Sequence, residues 1–238
     1  VGHQFGANSK EVQDTYIRLD KEIERLLNYF DNKIGKNNYT LFLTADHGAS
    51  DAPGFLKDNK IPINYFNSKK FKRHIEKALI KSFGSKYVIA NNSNQQIFLN
   101  YEYIEKLNLN LESVKNRVIE IIQSFPGIDN VYSSNQILNE NDDHFVTLIR
   151  NGFNKNISGD IVFTIMPNWV YYRKGSTHGR RFNHHTHVPL IFFGNGIKKG
   201  STSRETDVID IAPTIASVLG INSPNASTGK VIFEAIDD

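Results

Sequence analysis

The sequence lacks cysteine entirely and has only a small excess of charge of one sign. Without cysteine, the chain cannot form disulfides, thiolate nucleophiles or cysteine-based zinc sites. The net charge of +3 argues against a dedicated nucleic-acid-binding protein, whose basic charge is usually larger and more clustered. No apolar run approaches the ~18 residues needed to cross a bilayer, so the sequence predicts no membrane span. Any metal site must therefore be built from histidine and carboxylate ligands.

The composition is otherwise that of an ordinary globular protein. Hydrophobic residues make up 39% and charged residues 22% of the 238 positions, which excludes a disordered tail. This length fits one large domain or two small ones. The chain begins at Val1 and shows no signal-peptide pattern, so we expect either that a leader was removed or that the chain is a piece of a longer protein.

The first part of the chain predicts a helix that feeds a strand. Ser9 can cap the helix, and its apolar residues recur at steps of three and four: Val12, Tyr16, Leu19, Ile23, Leu26, Leu27 and Phe30. Residues 39–44 predict a short, buried strand, and Asp46 and His47 follow it at once. This order favours an α/β sheet, in which ligands gather beyond the carboxyl ends of the strands.

The middle of the chain, residues 67–159, changes from buried-strand patterns to amphipathic helix patterns and predicts an α+β insert. Its predicted elements are helices over residues 68–83 and 111–125 and strands over residues 95–100 and 128–132. We expect the insert to pack a small core of its own and to supply no metal ligand. His74 and His144 are interpreted as structural or exposed, and the lysine-rich helix 68–83 as a solvated face.

The last third returns to the pattern of the first part. Residues 160–166 and 188–193 predict apolar strands, and residues 207–219 predict a closing helix. Between the two strands lies a polar loop, residues 173–187, that holds four of the eight histidines. We therefore predict one core formed by residues 1–66 and 160–238, interrupted by the insert.

Four features carry residues suited to chemistry. They are Gly2-His3 near the start, Thr44-Ala45-Asp46-His47-Gly48, Gly175-Ser176-Thr177-His178-Gly179 and His184-His185-Thr186-His187. Taken singly, each also fits a plainer interpretation as a polar turn, a solvated terminus or a surface loop. Imidazole and carboxylate ligands without thiolate suit a catalytic zinc or a similar divalent ion.

Taken together and in order, these motifs resemble the alkaline phosphatase superfamily. The motifs are Gly-His-x-x-Gly-x-Asn-Ser at residues 2–9, Leu-Thr-Ala-Asp-His-Gly at 43–48, Thr-His-Gly at 177–179, Thr-His-Val-Pro-Leu at 186–190 and Asp-Ile-Ala-Pro-Thr at 210–214. The chain is most similar to the phosphate-irrepressible alkaline phosphatases and their type I phosphodiesterase/nucleotide pyrophosphatase relatives. The resemblance implies the C-terminal part of an alkaline-phosphatase-like α/β/α sandwich, with the insert added to a partial core.

The resemblance also implies two zinc ions and assigns their ligands by motif. One zinc takes His3 and a later histidine, His178, with His187 as the alternative because the loop histidines lie close in sequence. The second zinc takes Asp46 and His47. The family's aspartate partner of His3 stands four residues before it, outside this sequence. Each zinc would then keep only two ligands here, and we expect weak or absent zinc occupancy in this chain alone.

No catalytic nucleophile is predicted within these residues. In the family the nucleophilic Thr or Ser, a further zinc aspartate and the substrate-binding Lys, Arg and Asn lie upstream of Val1, and no motif supports Ser176 or Thr177 in that role. We expect hydrolysis of a small phosphorylated substrate, a phosphomonoester, by the intact protein, with the N-terminal half of the same protein as partner and little activity in this chain alone. By family habit the location is periplasmic or secreted.

Other functions remain open on the sequence. Phosphodiester or nucleotide-pyrophosphate hydrolysis is the alternative within the family, and sulfatase chemistry is more distant. A non-catalytic binding module derived from the same fold is the alternative from another class.

Overall fold

The computed structural model describes residues 1–139 and 144–237 of the chain. Its helices are α1 (Gly2–Phe5), α2 (Lys10–Lys33), α3 (Pro53–Asp58), α4 (Ser68–Phe83), α5 (Tyr101–Lys106), α6 (Leu111–Gln123), α7 (Ser134–Asn139), α8 (His144–Asn151), α9 (Asn183–Thr186) and α10 (Ile211–Val218). Its strands are β1 (Thr40–Leu43), β2 (Asn64–Tyr65), β3 (Ile89–Ser93), β4 (Gln96–Leu99), β5 (Ile128–Ser133), β6 (Ile161–Ile165), β7 (Trp169–Val170) and β8 (Ile191–Gly194). Helices and strands mix along the whole chain, as the α/β class predicts.

The chain forms two compact units. The first unit contains Val1–Ser9 and Ala49–His185, and the second contains Lys10–Gly48 and Thr186–Asp238. A four-stranded sheet in the order β3-β4-β6-β5 lies in the first unit, and each of its pairings is antiparallel. Strand β6, which follows residue 159, thus pairs with strands from within residues 67–159. The division of the chain into a core and a 67–159 insert stays a prediction.

Helices α4 and α6 build the core of the first unit. The apolar face of α4 (Phe71, Ile75 and Leu79) is buried together with Val118 and Ile122 of α6. Helix α4 has the predicted bounds because a capping residue stands at each end. The side chain of Asn67 accepts a hydrogen bond from the Lys70 amide at 2.9 Å, and Gly84 ends the helix in the left-handed conformation.

His74 is a structural residue, as predicted. Its Nε2 lies 3.0 Å from the carbonyl oxygen of Ile121 and 3.0 Å from the hydroxyl of Ser124. Both partners lie at the end of α6, so the ring joins α4 to α6. The histidine therefore stabilises the packing of two helices.

The second unit is built on the antiparallel pair β1 and β8, in which Phe42 lies opposite Phe192. The prediction that β1 is buried is wrong, since Phe42 is 44% exposed. Among the described residues β1 pairs with β8 alone, and none of its four residues is buried. Helix α2 lies at its predicted position, but none of its residues is buried.

The closing helix of the second unit begins later than predicted. A 3₁₀ turn over Val208–Asp210 precedes α10, and Pro213 lies in the first turn of the α-helix, where proline is tolerated. The buried Asp210 accepts hydrogen bonds from the Asp207 amide at 3.0 Å and the Lys230 amide at 2.7 Å. This carboxylate therefore joins the start of the helix to the segment that contains Lys230.

Within the described ranges, none of the helices is both long enough and apolar enough to span a membrane.

Candidate metal centre

His3 is held in one ring orientation by a residue far away in the sequence. Its Nδ1 lies 2.9 Å from the carbonyl oxygen of Ser176. Because a carbonyl can only accept, Nδ1 carries the hydrogen in this contact. In the neutral ring the other nitrogen, Nε2, then carries the lone pair. Histidines that bind metals are usually oriented in this way, through a hydrogen bond from the nitrogen that does not bind the ion.

His178 lies beside His3. The two ring centroids are 5.1 Å apart and the ring planes are inclined by 47°. Two imidazoles that bind one tetrahedral ion through nitrogens at about 2.05 Å have centroids about 5 Å apart. The pair predicted from positions 3 and 178 of the sequence is therefore brought together at a separation that suits one metal ion.

Ser176 fastens the two segments that carry these histidines. Its amide donates to the Gly2 carbonyl at 3.1 Å, and its hydroxyl accepts from the Ala7 amide at 2.8 Å. The side chain is only 3% exposed. A hydroxyl that is buried and engaged with the backbone is poorly placed to attack a substrate, so the hydrogen bonds give Ser176 a positioning role.

Gly175 allows the same two segments to approach closely. It has a φ of +72°, and a Cβ at this position would collide with the carbonyl of His3. Glycine is therefore required here by both its backbone conformation and the space available.

A second set of hydrogen bonds fixes the Thr177-His178 backbone. The Ser50 amide donates to the Thr177 carbonyl at 2.8 Å, and the Thr177 amide donates to the Ser50 hydroxyl at 3.0 Å. The loop that presents His178 is thus bonded both to the chain start and to the segment after Gly48.

Asp46 and His47 form the other predicted pair, in the second unit. His47 Nδ1 lies 2.8 Å from the carbonyl oxygen of its neighbour Gly48, so in the neutral ring Nε2 carries the lone pair. That Nε2 lies 3.5 Å from Asp46 Oδ2. Two ligand atoms on one tetrahedral zinc are separated by about 3.3 Å. Asp46 Oδ1 accepts the His47 amide at 3.0 Å, which orients the carboxylate.

Each pair fits a zinc ion in ligand type and separation, but neither is a complete site. The described part of the chain has no group of three or more His, Asp or Glu residues arranged to hold a metal, whereas catalytic zinc usually has three protein ligands and a water. The convergence of both pairs at one sheet edge stays a prediction. So does the choice of His178 over His187, which lies in the second unit.

Burial shifts the pKa of three residues in or next to the histidine-rich loop. Burial raises the pKa of Tyr171 to about 12, while the Arg180 guanidinium, 5.5 Å from the centre of that ring, acts in the opposite direction. Burial also lowers the pKa of Arg180, against the effect of Tyr171. The pKa of His184 is lowered first by burial, with Asp51 opposing and Arg180 reinforcing the shift.

A large cavity opens beside the His3–His178 pair within the first unit. Its volume is about 1550 Å³, and it extends from the two histidines along α4 and β3.

Sequence patterns included Gly175 and Ser176 in the segment around His178 but gave neither residue a positioning role, and they did not identify Ser50 as part of this region. The partners of Gly175 and Ser176 (Gly2, His3 and Ala7) lie at the opposite end of the sequence, so no local pattern could reveal these contacts.

Comparison with known proteins identifies the family of the chain. The profile of the family described as "Type I phosphodiesterase / nucleotide pyrophosphatase" matches residues 1–189. A protein of Myroides odoratus named "Calcium-transporting ATPase" is 40% identical over 100% of this chain and 44% of its own length. "Alkaline phosphatase PafA" of Elizabethkingia meningoseptica is 36% identical over 99% of this chain and 44% of its own length.

The fold has a close counterpart among solved structures. The crystal structure of alkaline phosphatase PafA superposes with a TM-score of 0.90 at 35% identity, covering 100% of this chain and 46% of that one. The chain thus spans less than half the length of these relatives. On this evidence, the chain has the alkaline-phosphatase-like α/β fold and belongs to the type I phosphodiesterase/nucleotide pyrophosphatase family.

Proposed function

We propose that this chain is the metal-binding C-terminal part of a phosphomonoesterase of the alkaline phosphatase type. The observation that carries the proposal is the pair of imidazoles His3 and His178, 5.1 Å apart, with His3 oriented through Nδ1 by the Ser176 carbonyl. The relative named alkaline phosphatase, at 36% identity, supports the choice of reaction.

The proposed cofactors are two zinc ions, one at His3 and His178 and one at Asp46 and His47. Zinc, when bound, supplies Lewis acidity toward phosphoryl oxygens. The contribution of this chain is orientation. Backbone carbonyls hold the rings of His3 and His47, and Ser176 and Ser50 fix the loop that carries His178. A preset geometry of this kind reduces the cost of arranging the ligands during the reaction.

The nucleophile and the missing ligands belong, in this proposal, to the rest of a longer protein. The chain covers 44% of the length of its relatives, and the Ser176 hydroxyl is occupied by the Ala7 amide. The N-terminal half of the same protein is then the principal partner, and the small phosphorylated substrate binds where the two parts meet. A periplasmic or secreted location follows from the family resemblance.

Phosphodiester hydrolysis is the second candidate, because the matching family is described by that activity. The non-catalytic binding module is the third. The full-length protein with added zinc should separate these possibilities on two chromogenic substrates, 4-nitrophenyl phosphate and bis(4-nitrophenyl) phosphate. A higher kcat/KM on the monoester supports the proposal, a higher value on the diester supports the second candidate, and turnover of neither supports the third.

Ligand variants test the metal assignment directly. In the full-length protein, His178→Ala should lower zinc retention by more than the ~10–100-fold typical of residues that only orient a ligand. His144→Ala is the matched control, since this histidine is an exposed residue of α8. The isolated chain should retain zinc poorly and turn over neither substrate; tight binding of two zinc ions by the isolated chain would contradict this.

A further inference from the structure

The cavity of the first unit extends well beyond the histidine pair, and the proposed metal site does not account for its far walls. One wall is a face of α4, another is strand β3 with the turn that follows it, and a third is the segment of residues 171–174. Its volume of about 1550 Å³ greatly exceeds that of a phosphate group. Something larger than the reacting group can therefore occupy it.

Helix α4 presents one particular lysine to this cavity. Ser68, Lys72 and Glu76 are spaced by four residues, so they share a helix face, and all three line the cavity. Lys77, on the same helix, is exposed but does not line it. The sequence analysis interpreted the lysines of this helix as one solvated face, whereas the structure separates Lys72 from the others.

The charge of the lining is strongly positive. Its cationic side chains are Lys72, Lys86, Arg173 and Lys174, and among the lining residues that the structure describes Glu76 is the one acid. Glu76 lies 3.4 Å from Lys86, so this pair is internally compensated. Arg173 stacks over Tyr65 with its guanidinium 4.7 Å from the ring centre, which holds that cation in place. Lys72, Arg173 and Lys174 thus leave an excess of positive charge that attracts anions.

The wall formed by β3 and the turn after it carries polar, uncharged side chains. Asn91 and Asn92 of β3 and Asn94 and Gln95 of the turn supply amide groups that both donate and accept hydrogen bonds. Apolar side chains such as Ile75 and Tyr171 also line the cavity, so its cations and amides are the groups that can bind a negatively charged part of a ligand.

We propose that this cavity binds the leaving group of the phosphate ester and favours leaving groups that carry a second anionic group. The inference rests on the proposed function, because it places the reacting phosphoryl group at the His3–His178 end. Lys72 and Lys174 are then specificity-determining residues that contact the distal anion, and Arg173 adds to the local positive potential.

The test compares two substrates that differ in one group, using the full-length protein with zinc. They are 3-phosphoglycerate, whose leaving group has a carboxylate, and glycerol 3-phosphate, which has a hydroxymethyl group in its place. We expect kcat/KM to be about fivefold higher for 3-phosphoglycerate, the size of one partly exposed charge pair. The preference should shrink as ionic strength rises, because salt screens exposed charges.

Two variants and a matched control locate the effect. Lys72→Gln and Lys174→Gln should each lower the preference about twofold, since each removes one of the attracting charges. Lys77→Gln removes the same charge from the same helix outside the cavity and should leave the preference unchanged.

The outcomes distinguish this inference from the function on which it rests. If both substrates are hydrolysed with equal kcat/KM, or if Lys77→Gln lowers the preference as much as Lys72→Gln, the leaving-group site is wrong and the phosphatase proposal stands. If neither substrate is hydrolysed while 4-nitrophenyl phosphate is, the leaving-group site alone is wrong; if 4-nitrophenyl phosphate is not hydrolysed either, both proposals fall.

Discussion

Helices α2 and α4 have the same kind of apolar periodicity, yet they end in opposite environments. Phe71, Ile75 and Leu79 of α4 are at most 5% exposed, whereas no residue of α2 is buried. The difference lies in what surrounds each helix: α4 packs against α6 and the first unit's sheet, while α2 belongs to a unit whose strands are themselves half-exposed. Apolar spacing therefore specifies a helix, but burial requires a partner surface.

The most direct test of this difference is to replace one isoleucine by alanine in each unit. Ile122→Ala removes a side chain with no exposed surface and should lower the free energy of unfolding by about 3 kcal/mol, through lost transfer energy and a cavity. Ile17→Ala in α2, where the side chain is 51% exposed, should change it by less than about 0.5 kcal/mol. Urea denaturation measures both values, and equal losses would contradict the contrast between the units.

Two glycine substitutions compare a crowded position and an open position inside the first unit. Gly175→Ala should destabilise the chain by about 2 kcal/mol, because the new Cβ meets the His3 carbonyl and φ is positive. Gly54→Ala in α3 is the control: no atom lies within 4 Å of its added Cβ, and alanine favours a helix. Thermal unfolding of the two variants should shift in opposite directions.

The exposed face of α2 predicts self-association of the isolated chain. Leu19 and Leu26 are 44% and 42% exposed and lie two turns apart on one face. Leu26→Glu should lower the association constant about tenfold, roughly the 1.4 kcal/mol that part of a buried leucine contributes. Sedimentation measures the constant, and Gln13→Glu adds the same charge to α2 as a control. A monomeric wild-type chain would contradict the prediction.

The smallest expected effect concerns pH. The pKa of His184 lies below its ordinary value of 6.5, so the unfolded chain binds the proton more readily than the folded one. Stability should therefore fall as pH drops below about 6.5, and His184→Asn should remove that part of the loss. The effect should be small because solvent screens this largely exposed ring. Unfolding curves at pH 7 and pH 5 test it; the same loss in both proteins would contradict it.

Sequence reasoning located elements with strong local signals. The apolar spacing of α4 and its flanking Asn67 and Gly84 are all local, and the predicted bounds match. Strand β3 was missed because its sequence, Ile-Ala-Asn-Asn-Ser, has almost no apolar side chains and is held by its pairing with β4. Helix α5 was missed because it is only six residues long.

In the candidate site, too, contacts between sequence neighbours were predictable and contacts between distant residues were not. The Asp46–His47 pair was predictable because adjacent residues after a strand are neighbours in space by necessity. Resemblance to a family, and not local pattern, joined His3 to His178. The roles of Ser176 and Ser50 depend on backbone contacts across more than a hundred residues, for which the sequence carries no local signal.

The hydrogen bond from His3 to Ser176 also sets an order of events during synthesis. The two residues are 173 positions apart, so the His3 ring can receive its orientation only after the segment that separates them has been made. At about 5–20 residues per second, that is a delay of roughly 10–35 s. His3 leaves the ribosome before Asp46, His47 and His178 but cannot be positioned until Ser176 has been made, and zinc that met the nascent chain early would find an imidazole with no fixed direction.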